Sequence, residues 1–348
     1  MINLFGMNKE ELQRLCADEG LPRFAAKQIA DWLYAKRVTT LDAMTNLSLK
    51  TRARLSEICV IERSLPVSCQ ESVDGTKKYL FHVDPTTDDW DAHAFVEAVF
   101  IPDGDRGTLC ISCQRGCKMG CRFCVTGQQG FHGNLEASQI LNQIFSIPEF
   151  ERLTNIVYMG MGEPMDNLDN VLRSIEVLTS DWGLGWSPHR ITVSTVGIIP
   201  GIRRFLAECG CHLAVSLHNP YADERQTMMP MQKPYPIADI IELLKEYDWS
   251  GQRRISFEYT MFKGINDDLN HASELCRLLS RLYCRVNLIR FHASPDVPYV
   301  TSNRDAILHF QEYLNRKGIT CTLRASRGED IYAACGMLSS KKEEERKL

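Results

Sequence analysis

The chain has 348 residues, 44% of them apolar and 24% charged, with a formal net charge of −4. This balance excludes a mainly disordered chain, a collagen or a coiled coil, and argues against a surface that is basic throughout for nucleic acid. Its 14 cysteines are too few for a disulfide-scaffolded protein, and the length suggests about two domains.

The start, Met1 to Glu11, lacks a basic stretch followed by an apolar run, so no secretory signal is expected. No apolar run approaches the ~18 residues of a membrane span. The expectation is a cytoplasmic chain with reduced thiols, where clustered cysteines point to metal or catalysis.

Asn8 is placed to cap a helix through Leu12, Leu15 and Cys16 that ends near Gly20. Pro22 is expected to open a second helix with Phe24, Ile29, Trp32 and Leu33 on its apolar face. A third is predicted from Ser48 to Cys59. Between Arg23 and Arg54 seven cations face two anions, a local basic stretch that could contact phosphates. Trp32 and Tyr34 within it are expected to be core residues rather than platforms for bases. Next comes a hairpin signal, Val67–Val73 and Lys77–Val83 around Asp74-Gly75. A polar break at Pro85–Asp89 precedes strands at Ala94–Ile101 and Thr108–Ser112.

From about residue 135 short apolar strands alternate with helices. Strands are predicted at Asn155–Met159, Arg190–Ser194, His212–Leu217, Ser256–Met261, Arg285–Arg290 and Thr320–Leu323. Helices are predicted at Leu168–Leu178, Ile237–Glu246, Asp268–Arg281 and Arg304–Arg316. Repeated β-α units argue for an α/β parallel sheet or open barrel, with ligands at the carboxyl ends of the strands. The expected division is a helical accessory domain at 1–62, a β hairpin and linker at 63–95, an α/β core at 96–340 and a charged tail at 341–348.

Nine cysteines are scattered, mostly among apolar neighbours, and read as small buried hydrophobes. Five crowd into Cys110, Cys113, Cys117, Cys121 and Cys124. Cys117-Lys118-Met119-Gly120-Cys121-Arg122-Phe123-Cys124 has a Cys-x3-Cys-x2-Cys spacing, which can bring three thiolates to one iron–sulfur cluster. Three protein ligands would leave one iron open, and Gly116 and Gly120 would let the loop wrap closely. The alternative is a structural zinc site with Cys113 or Cys110 as fourth ligand. Zinc ribbons favour two separated Cys-x2-Cys pairs, and only one is present.

The triplet, followed by Thr126-Gly127-Gln128-Gln129-Gly130-Phe131 and Asn134-Leu135, resembles the radical S-adenosylmethionine superfamily. Across nearly the whole chain the sequence is similar to the RlmN/Cfr family of RNA adenine methyltransferases. The resemblance implies a partial β/α barrel with a helical accessory domain. It also implies that Cys117, Cys121 and Cys124 bind a 4Fe–4S cluster whose open iron takes S-adenosylmethionine, cleaved reductively to a 5′-deoxyadenosyl radical. Arg327 to Gly336 looks like the family's C-terminal signature, so Cys335 is expected to carry the methyl group to the adenine. Cys110 is expected to resolve the resulting thioether through a transient disulfide, with Cys113 the near competitor. Glu97, between apolar neighbours in its strand, is the expected base for the C2 proton.

Met159-Gly160-Met161-Gly162-Glu163-Pro164 matches the superfamily segment that holds the methionine amino group, which points to Gly162 and Glu163. Ser194, Ser216, Leu217 and His218 end the next two strands and are expected beside the carboxylate and ribose. His292 stands where the family usually has an asparagine that contacts the cofactor. Lys118, Arg122, Arg324 and Arg327 could hold the substrate backbone. The implied activity is methylation of adenine C2 in 23S rRNA, with tRNA a further substrate, by a monomer fed electrons by flavodoxin or ferredoxin. The alternatives are C8 methylation of the same adenine, a radical activase oxidising a protein glycine, and a zinc RNA-binding module.

Overall fold

The computed structural model describes residues 1–83, 93–293, 297–334 and 336–338. The polar break at 85–89, Cys335 and the tail at 341–348 lie outside the described residues.

The N-terminal unit is helical. Helix α1 (Lys9–Asp18) starts at a capping box, in which the Asn8 side chain accepts from the Glu11 amide and the Glu11 carboxylate accepts from the Asn8 amide. Helix α2 (Ala25–Ala30) begins three residues after Pro22. Pro22 makes a turn here, and Phe24 is left outside with 66% of its surface exposed. The buried face instead uses Ala25, Ala26, Ile29 and Ala30. One π turn, Asp31–Ala35, follows and carries Tyr34 into the core. The Tyr34 hydroxyl donates to the Met7 carbonyl at 2.6 Å and accepts from the Gly6 amide at 3.1 Å. Helix α3 (Leu49–Ile58), capped by Ser48, ends the unit. Strands β1 (Ile2–Asn3) and β2 (Cys59–Val60) then pair in parallel and tie its two ends together.

Beyond it lies a ten-stranded sheet. Strands β3 (Ser68–Glu71), β4 (Lys77–His82), β5 (Phe95–Asp103) and β6 (Arg106–Cys110) pair antiparallel, each to the next. From β6 onward the sheet is parallel. β6 pairs with β9 (Asn155–Tyr158), followed by β10 (Ile191–Thr195), β11 (His212–Ser216), β12 (Ile255–Met261), β13 (Arg285–Arg290) and β14 (Thr320–Leu323). The order runs from β14 to β3 without closing, so the barrel is open.

Parallel neighbours need crossovers, and amphipathic helices supply them. They are α5 (Ala137–Phe145), α6 (Leu168–Thr179), α7 (Ile199–Glu208), α9 (Ile237–Lys245), α10 (Leu269–Leu278) and α11 (Arg304–Arg316). The first crossover also contains the cysteine loop. Strands β7 (Gln114–Gly116) and β8 (Phe131–Asn134) pair antiparallel around it, and the short helix α4 (Val125–Gln128) follows its last cysteine. A seven-residue helix, α8 (Ala222–Met228), follows β11 at the same edge of the sheet. Because β9 to β13 run in one direction, their carboxyl ends gather along one edge.

Candidate active site

At that edge one cavity is lined by Cys117, Cys121 and Cys124 on one wall. Gly162, Glu163, Ser194, Ser216 and His218 face it from the strand ends, and Gly336 and Leu338 approach from the C-terminal segment. A separate cleft at the opposite, amino-terminal edge is lined by His189, His212, Arg254 and Arg285 and holds none of the residues expected at the site.

The loop is shaped by close backbone approach. Gly116 has φ +71°, and a Cβ there would lie 1.9 Å from the Gly130 carbonyl oxygen. The same oxygen accepts from the Cys117 amide at 2.7 Å, so only glycine permits that turn. Further on, the Arg122 amide donates to the Met228 carbonyl at 2.9 Å and the Val125 amide to the Gly336 carbonyl at 2.8 Å.

Burial pushes the Cys117 thiol up to about 12 and the Cys121 thiol well above its ordinary value. Iron bound to these sulfurs would offset that cost, so a buried all-thiol donor set suits a cluster. Among the described residues no three His, Cys, Asp or Glu side chains converge as ligands of a single ion. Cys113 does not line the cavity. It is buried, its amide bonded to the Met161 carbonyl and its carbonyl to Asn167.

Glu163 is 2% exposed and is held from three sides. Its carboxylate accepts from the Met165 amide at 3.0 Å and the Val196 amide at 2.8 Å, while its own amide donates to Gln114 at 2.8 Å. Burial outweighs these bonds and those with Thr195, and raises its pKa to about 7. A ligand ammonium would supply the missing positive charge. His218 is buried in a left-handed conformation, φ 54°, and its Nδ1 accepts from the Thr260 amide at 3.0 Å. Desolvation first, with Arg225 second, lowers its pKa to about 3, so the ring is neutral.

Cys110 and Glu97 do not line this cavity, and neither do two of the expected cofactor-binding residues, Leu217 and His292. The Leu217 side chain is fully buried behind the strand end, and its amide donates to the Glu258 carbonyl. His292 turns toward Glu329, with Nδ1 3.3 Å from Oε2. Arg225 went unnoticed in the sequence, where Asp223-Glu224-Arg225 reads as an ordinary helix surface. Its guanidinium is fully buried and donates to the carbonyls of Leu217, Val196 and Ser216 and to Gln232, clamping the ends of β10 and β11 beside Cys121. Glu258 also lines the cavity, 3.4 Å from Arg324.

Family models match at two places. Residues 2–61 match the ribosomal RNA large subunit methyltransferase N-terminal domain, and residues 111–276 match the radical SAM superfamily. A Phocaeicola vulgatus protein named "Probable dual-specificity RNA methyltransferase RlmN" is 55% identical over 99% of this chain and 97% of its own length. The chain belongs to the RlmN family of radical SAM RNA methyltransferases. The dual-specificity RNA methyltransferase RlmN of Syntrophus aciditrophicus is 41% identical over 99% of this chain and 98% of its own. The crystal structure of a radical SAM methyltransferase from Sphaerobacter thermophilus superposes with a TM-score of 0.89 at 38% identity, covering 98% of this chain and 100% of that one.

As an RlmN-family enzyme the chain uses a 4Fe–4S cluster and S-adenosylmethionine. The other residues expected in RlmN chemistry lie on the antiparallel side of the sheet. Cys110 ends β6 opposite Val99 of β5 and Val157 of β9. Glu97 lies two residues before Val99 and so shares its face of the sheet. It is 2% exposed, and its carboxylate is 3.2 Å from the Lys78 ammonium.

The basic helical stretch is partly neutralised. Lys36 pairs with Asp31, Arg37 with Glu151, and Arg54 with Glu19 and Glu57. Arg23, Lys27 and Lys50 remain exposed, without an ion pair among the described residues. Near the cysteine loop, Lys118 pairs with Asp166, Arg327 pairs with Asp103, and Arg122 is exposed.

Proposed function

We propose that this chain methylates C2 of an adenine in 23S rRNA, and of tRNA adenine, by way of a methylated Cys335. One observation carries most weight. Gly336, the residue after Cys335, is hydrogen-bonded to Val125, the residue after the last triplet cysteine, and lines the same cavity. When bound, the cluster and S-adenosylmethionine supply a hydrogen-abstracting radical, and Cys117, Cys121 and Cys124 would hold the cluster. Glu163 receives the ammonium group of S-adenosylmethionine, and Ser194 and Ser216 offer hydroxyls to its polar groups. Apolar neighbours such as Phe123, Met229 and Phe291 help exclude water from the cavity.

After the methylene radical has bonded to the adenine and the adduct has given up one electron to an acceptor, RNA and Cys335 share a thioether. The Glu97 carboxylate takes the C2 proton. The Cys110 sulfur bonds to the Cys335 sulfur, the bond from sulfur to the RNA methylene breaks, and the methylene is protonated to a methyl group. A reductant must reopen the disulfide before the next turnover. The adenine must be presented unstacked, and Arg23, Lys27, Lys50 and Arg122, all exposed, would hold phosphates. Electron supply by flavodoxin or ferredoxin and action as a cytoplasmic monomer belong to the same proposal. Among the described residues no helix is long and apolar enough to cross a membrane.

The test is mass spectrometry of RNA treated with the anaerobically reconstituted protein. Methyl at adenine C2 is expected; methyl at C8 would place the chain with the other branch of the family.

A further inference from the structure

Adjacent lysines of β4 face opposite ways. Lys77, half-buried, pairs with Glu149 at 3.0 Å and reaches Glu71. Lys78 points inward, is 4% exposed, and lies 3.2 Å from Glu97. Burying both members of an ion pair is a weak way to stabilise a sheet, because an apolar pair of similar volume avoids the desolvation.

The register shows what the pair adjoins. Lys78 stands opposite Val99 on β5, and Val99 stands opposite Cys110 on β6. Glu97 is two residues from Val99 on the same face. Three strands therefore place an ammonium, a carboxylate and a thiol together. The hydroxyl of Ser112, just beyond β6, donates to the Glu97 carbonyl at 2.6 Å and fixes the backbone there.

We propose that Lys78 is a positioning residue for Glu97, holding its carboxylate aimed so that it can accept the adenine C2 proton. The proposal rests on Glu97 being that base. An ammonium within hydrogen-bonding distance favours the charged carboxylate, the only form able to act as a base. Among the described residues of β4, β5 and β6, the other titratable groups on this face are His82, Cys110 and, at the far end, Asp103 and Arg106.

The test compares reconstituted wild type, Lys78→Met, Lys78→Gln, Lys78→Arg and Glu97→Gln in single turnovers on 23S rRNA. Methylation of Cys335, covalent RNA–protein adduct and released product are read separately. Lys78→Met and Lys78→Gln are expected to methylate Cys335 normally and to accumulate adduct. Their product release should be about tenfold to a hundredfold slower, with the acid limb of the pH profile moved to higher pH. Lys78→Arg should restore most of the rate. In cofactor-free protein, infrared difference spectra against Glu97→Gln should show the Glu97 carboxyl bands shifted in Lys78→Met relative to wild type. This readout still decides if a variant cannot hold its cluster. If Glu97→Gln accumulates adduct while both neutral Lys78 variants release product like wild type, Lys78 has no such role and Glu97 stands. If Glu97→Gln itself releases product normally, the base is elsewhere and the proposal falls with it.

Discussion

The Val125 amide donates to the Gly336 carbonyl at 2.8 Å, joining the residue after Cys124 to the residue after Cys335. One residue further along the first segment and two along the second, the contact repeats in another form, as the Thr126 hydroxyl donates to the Leu338 carbonyl at 2.7 Å. The cysteine loop and the C-terminal segment are thereby fixed to each other, although more than 200 residues separate them in sequence. Gly336 has φ +82°, a conformation that strains any residue with a Cβ by roughly 1–2 kcal/mol. Gly336→Val should leave iron content unchanged and lower the yield of methylated product about tenfold. Iron analysis beside product mass spectrometry checks both halves.

A second latch holds the same segment farther upstream. The Gly328 amide donates to Asp74 Oδ2 at 3.0 Å, while Asp330 accepts from the Ser72 hydroxyl and the Val73 amide. Burial alone would raise the Asp74 pKa. Hydrogen bonds from the Thr76 hydroxyl, the Gly328 and Thr76 amides and the Ser72 hydroxyl outweigh it and hold the pKa at about 2, below the ordinary 3.8. The folded value is the lower one, so the stabilisation is complete above about pH 4 and is lost as pH falls toward 2. Asp74→Asn should speed tryptic cleavage after Arg327 about tenfold at neutral pH, the effect of losing a charged hydrogen bond. Cleavage at the wild-type rate would mean that the latch does not hold this segment.

Gly116→Ala should abolish stable iron binding. The added carbon would have to displace the Gly130 carbonyl, which holds the Cys117 amide, and would also occupy a left-handed conformation. The cost is at least about 2 kcal/mol, concentrated in the loop. Anaerobic reconstitution followed by visible absorption should yield colourless but folded protein.

The two nearest candidate ligands should separate cleanly. Cys117→Ala is expected to lose the iron–sulfur absorption, and Cys113→Ala to keep it, because Cys113 is buried and does not line the cavity. Equal loss in both variants would overturn the assignment of the triplet.

Glu163 gives a signed pH dependence. Its carboxyl, raised by burial to about 7, is largely protonated below that pH in the empty pocket and then offers no negative charge to an ammonium. Affinity for S-adenosylmethionine should therefore rise with pH up to about 7, and binding below it should release a proton. Calorimetry in buffers of different ionisation enthalpy measures this. Glu163→Gln should bind more weakly and show no such slope.

Much of the architecture was legible in sequence because its signals are local. Asn8 before its apolar run, Asp74-Gly75 between alternating runs, and the short apolar strands each declare an element through their own neighbours. Pro22 misled because proline at the first position of a helix and proline in a turn look alike. The exposed Phe24 shows that apolarity alone did not settle the register. Strands β7 and β8 contain Gln, Arg, Gly and His, show no alternation, and exist because the cysteine loop between them must be closed. Arg225 and Lys78 look like surface charges in sequence. Their burial comes from strands and helices distant in the chain. Leu217 and His292 were placed by position in a family pattern, which does not determine the direction a side chain takes.

The most direct test of the proposed chemistry is the fate of RNA on a Cys110→Ala variant. Reconstituted protein, 23S rRNA and S-adenosylmethionine should yield RNA covalently bound to the protein through Cys335, resolved on a denaturing gel and located by peptide mass spectrometry. Released C2-methyladenine at the wild-type rate, with no covalent species, would contradict a route through Cys335 and Cys110.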